Sequence, residues 1–320
     1  MPKHVIVVQG APALEAIPYF LPISQVAEVR LANDTQALRE ALPGADILLG
    51  WDFKADQLEA AWQRADSLRW IHWSGAGVDA LLFDALMRSE VTLTNARGIF
   101  DRAMAEYVLA LVLGLAKRLP ETVRLQTSAQ WQHRLTERID GRRALVVGVG
   151  SIGRSIARLL RAVGMRVSGV ARRARNEDAE FERVFPASEL HEALRDADYV
   201  LGVLPATGAT QRFFGADAFA AMKPGAKFVN VGRGTTVDDA ALLTHLASGH
   251  LSGAALDVFT TEPLPASNPL WALPNVIVSP HMSGDFNEYA DDLGWLFARN
   301  FSRYSRALPL LNRVDKTQGY

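Results

Sequence analysis

The sequence predicts an α/β protein built on parallel sheets, and three observations carry that prediction. Short apolar, β-rich runs recur along all 320 residues. Most lack strict apolar/polar alternation, as strands buried on both faces of a parallel sheet do. The segments between them carry a 3.6-residue apolar period, which lays one stripe of each helix against a sheet. At roughly 150 residues per domain, the length accommodates two ordinary domains or one large one. With 49% hydrophobic and 22% charged residues, the chain has ample material for buried cores.

Taken in order, the runs are HVIVV at 4–8, ADILLG at 45–50 and LRWIHWSG at 68–75, then RALVVG at 143–148, RVSGVA at 166–171, DYVLGVL at 198–204, AKFVNVG at 226–232, GAALDVF at 253–259 and NVIVSP at 275–280. Between the two groups, a stretch from Asp101 to about Gln126, interrupted only by Pro120, reads as a mostly buried connecting helix and marks a boundary. The clearest amphipathic helix starts near Ile152 and carries Ile152, Ile156, Leu159, Leu160 and Val163 on one face. The first group runs from its strand into Gly10 and Ala-Pro-Ala with no phosphate fingerprint, whereas the second runs into Gly148-Val149-Gly150-Ser151-Ile152-Gly153. Two α/β lobes with different tasks is the economical reading.

Composition removes several function classes. The 34 basic and 35 acidic residues give a net charge of −1, so no global field draws the chain to nucleic acid or an anionic membrane. Cysteine is absent, which excludes a disulfide framework, a thiolate zinc site and a cysteine nucleophile, and permits a cytoplasmic location. The N-terminal MPKHVIVVQGAPALEA lacks a continuous signal-peptide core. The longest suspicious apolar run, Tyr107 to Ala116, falls short of the roughly 18 residues a membrane span needs. His4, His72, His133, His191, His245 and His250 show no metal-ligand spacing, and no metal is expected.

The glycine motif gains meaning from its context. It follows the strand RALVV directly and opens the helix near Ile152, so a pyrophosphate can sit on exposed N–H groups at the positive helix end, held by Gly148, Gly150, Ser151, Ile152 and Gly153. This is the Rossmann arrangement. An acidic residue about 20 positions on would accept the ribose 2′-hydroxyl of NAD. Here the second strand ends in Ala171-Arg172-Arg173-Ala174-Arg175, with no carboxylate at that place. Arginine suits a 2′-phosphate through its planar fork. NADP(H) is therefore preferred and NAD(H) remains possible; Arg172 and Arg173, nearest the strand end, are the phosphate candidates. The competing reading is a solvated basic loop balanced by Glu177, Asp178, Glu180 and Glu182.

Three charged residues follow strand ends in the second group: Arg233, Glu262 and His281. Ligands of open α/β sheets bind outside the carboxyl ends of strands, so these residues can converge. Reduction of a carbonyl by a nicotinamide needs a proton at oxygen, which histidine carries near neutral pH. A carboxylate holding the other ring nitrogen stabilises the imidazolium, and an arginine fixes a substrate carboxylate. The three residues fill these roles without leftovers.

The chain resembles the D-isomer-specific 2-hydroxyacid dehydrogenases, with the glyoxylate/hydroxypyruvate reductases a near branch. The resemblance rests on the loop at 148–153, VGRG at 231–234, ALDVFTTEPLP at 255–265 and SPH at 279–281, with spacings of 29 from Arg233 to Glu262 and 19 from Glu262 to His281. It extends over nearly the whole chain through Ser74-Gly75-Ala76-Gly77-Val78-Asp79, Thr94-Asn95-Ala96-Arg97-Gly98 and Ala105-Glu106. It implies His281 as general acid/base, Glu262 as its partner and Arg233 as substrate anchor. It further implies backbone contacts from Ala76 and Gly77 to the substrate carboxylate, and Asp257 with the backbone near Val231 and Gly232 at the nicotinamide carboxamide. Leu204 and Pro205 would lie at the adenosine ribose, and Ser283 and Gly284 would touch the cofactor.

By the same resemblance, a dinucleotide-binding domain of 101–285 is inserted into a discontinuous substrate-binding domain of 1–100 and 286–320, both lobes are Rossmann-like and doubly wound, and the substrate enters an interlobe cleft. A homodimer through the cofactor domain is implied as well. Two departures stand out: Ala171 replaces the acidic residue of many relatives, and His281-Met282-Ser283-Gly284-Asp285 replaces a glycine-rich segment followed by Thr. Trp51, Trp73, Leu81 and Trp295 are candidates for shaping the substrate pocket and equally for filling cores. The expected activity is hydride transfer between NADP(H) and C2 of a small 2-keto or D-2-hydroxy acid. A dinucleotide-sensing binding protein and an oxidative NAD-linked dehydrogenase are the alternatives.

Overall fold

The computed structural model describes residues 4–53, 55–175 and 177–319. Twelve strands form among them: β1 Val5–Gln9, β2 Glu28–Ala32, β3 Ile47–Gly50, β4 Trp70–Trp73, β5 Thr92–Thr94, β6 Arg143–Val147, β7 Arg166–Ala171, β8 Val184–Pro186, β9 Tyr199–Gly202, β10 Lys227–Asn230, β11 Gly253–Leu256 and β12 Val276–Val278. The helices are α1 Leu21–Val26, α2 Thr35–Ala41, α3 Leu58–Ala61, α4 Asp84–Arg88, α5 Asp101–Ala116, α6 Leu119–Thr127, α7 Ser151–Ala162, α8 Leu190–Arg195, α9 Ala216–Ala221, α10 Asp239–Ala247 and α11 Tyr289–Tyr304. None is long and apolar enough to cross a membrane among the described residues.

The strands build two parallel sheets of Rossmann-like α/β type, in the orders β2-β1-β3-β4-β5 and β12-β11-β10-β9-β6-β7-β8. The chain divides into two compact units, 1–100 with 286–320, and 101–285. In the first unit, α2 and α3 pack Leu38, Ala41 and Leu58 onto one sheet face, against Val7, Leu48 and Ile71. On the other face α1 and α11 set Ile23, Phe297 and Phe301 against Ile6, Val8, Leu49 and Trp70. Helices on both faces explain why β3 and β4 are buried along their whole length. In the second unit, Leu190, Leu194, Phe219, Leu242 and Leu246 from α8, α9 and α10 share a cluster with Leu145, Val147, Val200 and Phe228 of the sheet.

Three strands were not announced by an apolar run, and each forms a sheet edge: β2, β5 and β8. An edge strand needs less two-sided burial, and in Glu28–Ala32 only Ala32 is fully buried. The expected connecting helix is two helices. Arg118 adopts a left-handed conformation, with φ 53°, at the N-cap of α6, and Pro120 sits in its first turn. Burial is confined to α5, with Val108, Leu111, Val112 and Leu115 inside, whereas α6 buries no residue. The stripe of α7 also differs from expectation: Gly153, Ile156, Ala157 and Leu160 are buried, while Val163 lies past the helix end and is exposed. Of the candidate pocket residues, Trp73 and Leu81 are core fillers at 1% and 0% exposure, and Trp295 is about half exposed on α11.

Candidate active site

In the second unit the strand order reverses between β6 and β9, and the loops leaving these strands meet there. Gly148 has φ 113°, and a Cβ on it would lie 2.5 Å from the Val203 carbonyl oxygen. A Cβ at Gly153 would lie 2.0 Å from the Gly148 carbonyl oxygen, so only glycine lets the helix start this close to the turn. Gly150, the N-cap of α7, has no atom within 4 Å of where a Cβ would stand. Its position and the first-turn N–H groups of Ser151 and Ile152 thus combine a tight turn with open space at a positive helix end, the donor set a pyrophosphate fits. Leu204 and Pro205 continue the neighbouring loop and are half-buried. A Cβ at Gly232 would meet the Leu204 carbonyl oxygen at 2.6 Å, so the β9 and β10 loops touch as well.

The end of β7 lies beside this turn, because Val147 and Val170 are register partners and the Gly148 N–H donates to the Val170 carbonyl at 3.0 Å. Arg172 and Arg173 follow at once and are both exposed. Arg175 instead turns to Asp178, at 3.5 Å. Asp178 is held below the usual carboxylate range, chiefly by its hydrogen bonds from Arg154.

The candidate residues are assembled by hydrogen bonds between adjacent strand ends. Asn230, fully buried at the end of β10, accepts from the Gly232 N–H at 3.1 Å and donates to the Arg233 carbonyl at 3.1 Å, fixing the turn that presents Arg233. The Arg233 guanidinium donates to the Gly232 carbonyl at 2.9 Å. Gly234 packs against the Phe259 backbone, where a Cβ would be 1.8 Å from the Phe259 carbonyl carbon, so this turn abuts the loop after β11. In that loop Glu262 Oε1 accepts from the Phe259 N–H at 2.9 Å, and Oε2 faces His281 Nδ1 at 2.7 Å. With the Glu262 carboxylate as acceptor, the Nδ1–H is the donor of this pair and Nε2 takes no part in it. Both side chains are about a third exposed, at 34% and 28%.

His281 has φ 53°, uncommon for a side-chain-bearing residue, and Asp257 holds it there. The Asp257 carbonyl accepts the His281 N–H at 2.8 Å. Its carboxylate accepts from Ser279 Oγ at 2.6 Å and the Met282 N–H at 3.0 Å on Oδ1, and from the Ser283 N–H at 2.8 Å on Oδ2. Asp257 is completely buried, and these bonds go to the histidine loop. Ser283 is buried and Gly284 half-buried beside it. The structure thus brings Arg233, Glu262, His281, Asp257, Val231 and Gly232 to neighbouring strand ends of one sheet. Ala76 and Gly77 belong to the first unit, where Asn95 Nδ2 donates to the Ala76 carbonyl at 2.7 Å. Asn230 and Ser279 escaped the sequence reading, since a buried amide or hydroxyl serving its own backbone has no distinguishing spacing.

The family of D-isomer specific 2-hydroxyacid dehydrogenases, NAD binding domain, matches residues 109–283. The chain belongs to the D-isomer specific 2-hydroxyacid dehydrogenases. A relative from Escherichia fergusonii, a glyoxylate/hydroxypyruvate reductase B, is 32% identical over 256 residues, covering 78% of each chain. Among solved structures, a D-isomer specific 2-hydroxyacid dehydrogenase family protein from Aeromonas salmonicida superposes with TM-score 0.84 at 35% identity, covering 99% of this chain and 100% of that one. An NADPH-dependent glyoxylate/hydroxypyruvate reductase from Sinorhizobium meliloti, in complex with NADP and sulfate, gives TM-score 0.86 at 28% identity over the same shares. The dehydrogenase thus joins a nicotinamide-binding domain to a second α/β unit.

Proposed function

We propose that this dehydrogenase acts as an NADP(H)-preferring reductase of short 2-keto acids, and the observation that carries the proposal is the 2.7 Å pair of His281 Nδ1 with Glu262. The glycine turn at 148–153, with Leu204, Pro205, Ser283 and Gly284, would hold the dinucleotide, and Arg172 and Arg173 its 2′-phosphate. Bound NADPH supplies a hydride to C2 of the keto acid. His281 Nε2 donates its proton to the carbonyl oxygen as negative charge develops there, and Glu262 stabilises the imidazolium that makes this donation. The Arg233 fork engages the substrate carboxylate. Asp257 positions His281 by holding the turn that carries it.

Ala171 at the end of β7 and the exposed Arg172 and Arg173 support NADP(H) over NAD(H). The relatives' names make glyoxylate and hydroxypyruvate the first substrates to try. His281→Asn should lower kcat by about a thousandfold or more while leaving NADPH affinity within about threefold. Unchanged turnover in that variant, or no NADPH oxidation by the wild type across a panel from glyoxylate to aromatic 2-keto acids, would overturn the reading in favour of a catalytically silent sensor. A homodimer formed through the second unit completes the proposal. Leu119, Val123, Trp131 and Leu135 stand exposed within one segment of that unit, with Trp131 wholly outside. Sedimentation should give twice the 35.0 kDa chain mass, and Trp131→Glu should shift it to monomer; a monomeric wild type sinks this part.

A further inference from the structure

The arginines of α7 form a ladder that the reactive chemistry does not use. Arg154, Arg158 and Arg161 fall at i, i+4 and i+7, on one face of the helix. Each reaches the segment after the arginine-bearing loop. Arg154 donates to both Asp178 oxygens, at 2.9 and 2.5 Å. Arg158 donates twice to Glu180 Oε1, at 3.0 and 2.9 Å, and Arg161 to the Ala179 carbonyl at 2.5 Å. Arg166 on β7 adds a bidentate pair with Glu182, at 3.1 and 3.0 Å.

These rungs differ in kind. Surface pairs such as Arg88–Asp84, about three-quarters exposed on both sides, contribute little. The Asp178 side chain is only 4% exposed and also receives Arg175 and the Glu180 N–H. A carboxylate this buried, with a two-pronged guanidinium, is geometrically demanding. Its partner Arg154 is the residue immediately after Gly153, so the first rung joins the helix turn at the pyrophosphate seat to the loop that carries Arg172 and Arg173.

We propose that the Arg154–Asp178 pair is the positioning device of 2′-phosphate recognition: it pins the loop after β7 to α7, so that Arg172 and Arg173 are held at a fixed distance from the pyrophosphate seat. The inference rests on the NADP(H) reading above. Asp178 itself bears the wrong charge to touch a phosphate, which gives the test a sign. If its carboxylate acted only through its field, neutralising it would tighten an anion by roughly two- to threefold. If it positions the loop, neutralising it loosens the anion, because ordering the loop must then be done by the ligand.

The probes are adenosine 2′,5′-bisphosphate and 5′-AMP, which differ only in the 2′-phosphate, titrated calorimetrically into the full chain. Asp178→Asn should weaken the bisphosphate about tenfold and 5′-AMP less than twofold. Arg154→Met should do the same, and Arg154→Lys, which keeps charge but loses the fork, should fall between. In an Arg172→Ala, Arg173→Ala background, Asp178→Asn should add nothing further. Tighter bisphosphate binding, equal weakening of both probes or full additivity would each overturn the inference. If Arg172→Ala with Arg173→Ala leaves bisphosphate affinity unchanged, the NADP(H) reading itself fails, an outcome distinct from the others. Should Asp178→Asn lose its fold by circular dichroism, the two Arg154 variants decide the matter.

Discussion

The two sheets reverse their strand order at one point each, and the two points are built in opposite ways. In the first unit the reversal lies between β1 and β3. There Gly10, at φ 80°, has its Cβ place taken by Asp52, whose Cβ would be 2.4 Å away, and the space over Gly50 is filled by the Trp73 ring at 2.1 Å. In the second unit Gly148 and Gly153 press backbone on backbone, and Gly150 faces open space. Glycine thus serves opposite ends. At one crevice it admits the protein's own side chains and closes the site to a phosphate; at the other it draws the scaffold tight so that N–H groups stand clear for a ligand.

A pair of matched substitutions puts that contrast to its hardest test. Gly153→Ala places a methyl on the Gly148 carbonyl and should weaken NADPH and NADH alike by a hundredfold or more. Gly10→Ala should leave both affinities within about twofold and instead cost about 2 kcal/mol of stability, through strain at positive φ and the collision with Asp52. Calorimetric titration and thermal melts read the two outcomes. Comparable loss of cofactor in both variants would break the comparison.

A smaller effect is read by pH. In the first unit His72 is fully buried on β4, with Nδ1 on Thr94 Oγ1 at 2.8 Å. Trp70 Nε1 donates to the same hydroxyl at 2.9 Å. Burial pushes the ring down to about 3. An unfolded chain takes up this proton near pH 6.5. Between those values the unfolded state binds more protons, so stability falls as pH falls through the window, by at most about 1.4 kcal/mol per unit. Melts from pH 7 to 5 should show a shallower decline in His72→Gln than in the wild type; parallel declines would remove His72 as the cause.

The sequence disclosed those parts of the molecule whose physics is local or periodic. Central strands such as Leu145–Val147 and Val200–Leu201 are apolar on both faces and stand out, whereas β5 and β8 are three residues long at sheet edges and do not. The helix break at Arg118 was half visible, because Pro120 is consistent with a first turn as well as with an interruption. At the site, Arg233, Glu262 and His281 were legible because charged residues at three successive strand ends form a chemical set. Asp257 was legible as a residue but not in its contacts: nothing in the letters says that its carboxylate is sealed and bonded to Ser279, Met282 and Ser283. Trp73 and Leu81 show the same limit, since an aromatic or a leucine near a substrate motif reads alike whether it lines a pocket or fills a core.

Asp257 also sets the mechanics of the site. Its N–H donates to the Asn230 carbonyl at 3.0 Å, while its side chain grips the turn that carries His281. Asn230 in turn grips the bend that carries Arg233. The ends of β10, β11 and β12 are therefore one truss, with a buried carboxylate as its central joint. The His281 turn and the guanidinium bend are thus tied to each other through three adjacent strand ends, so a change at the central carboxylate reaches both.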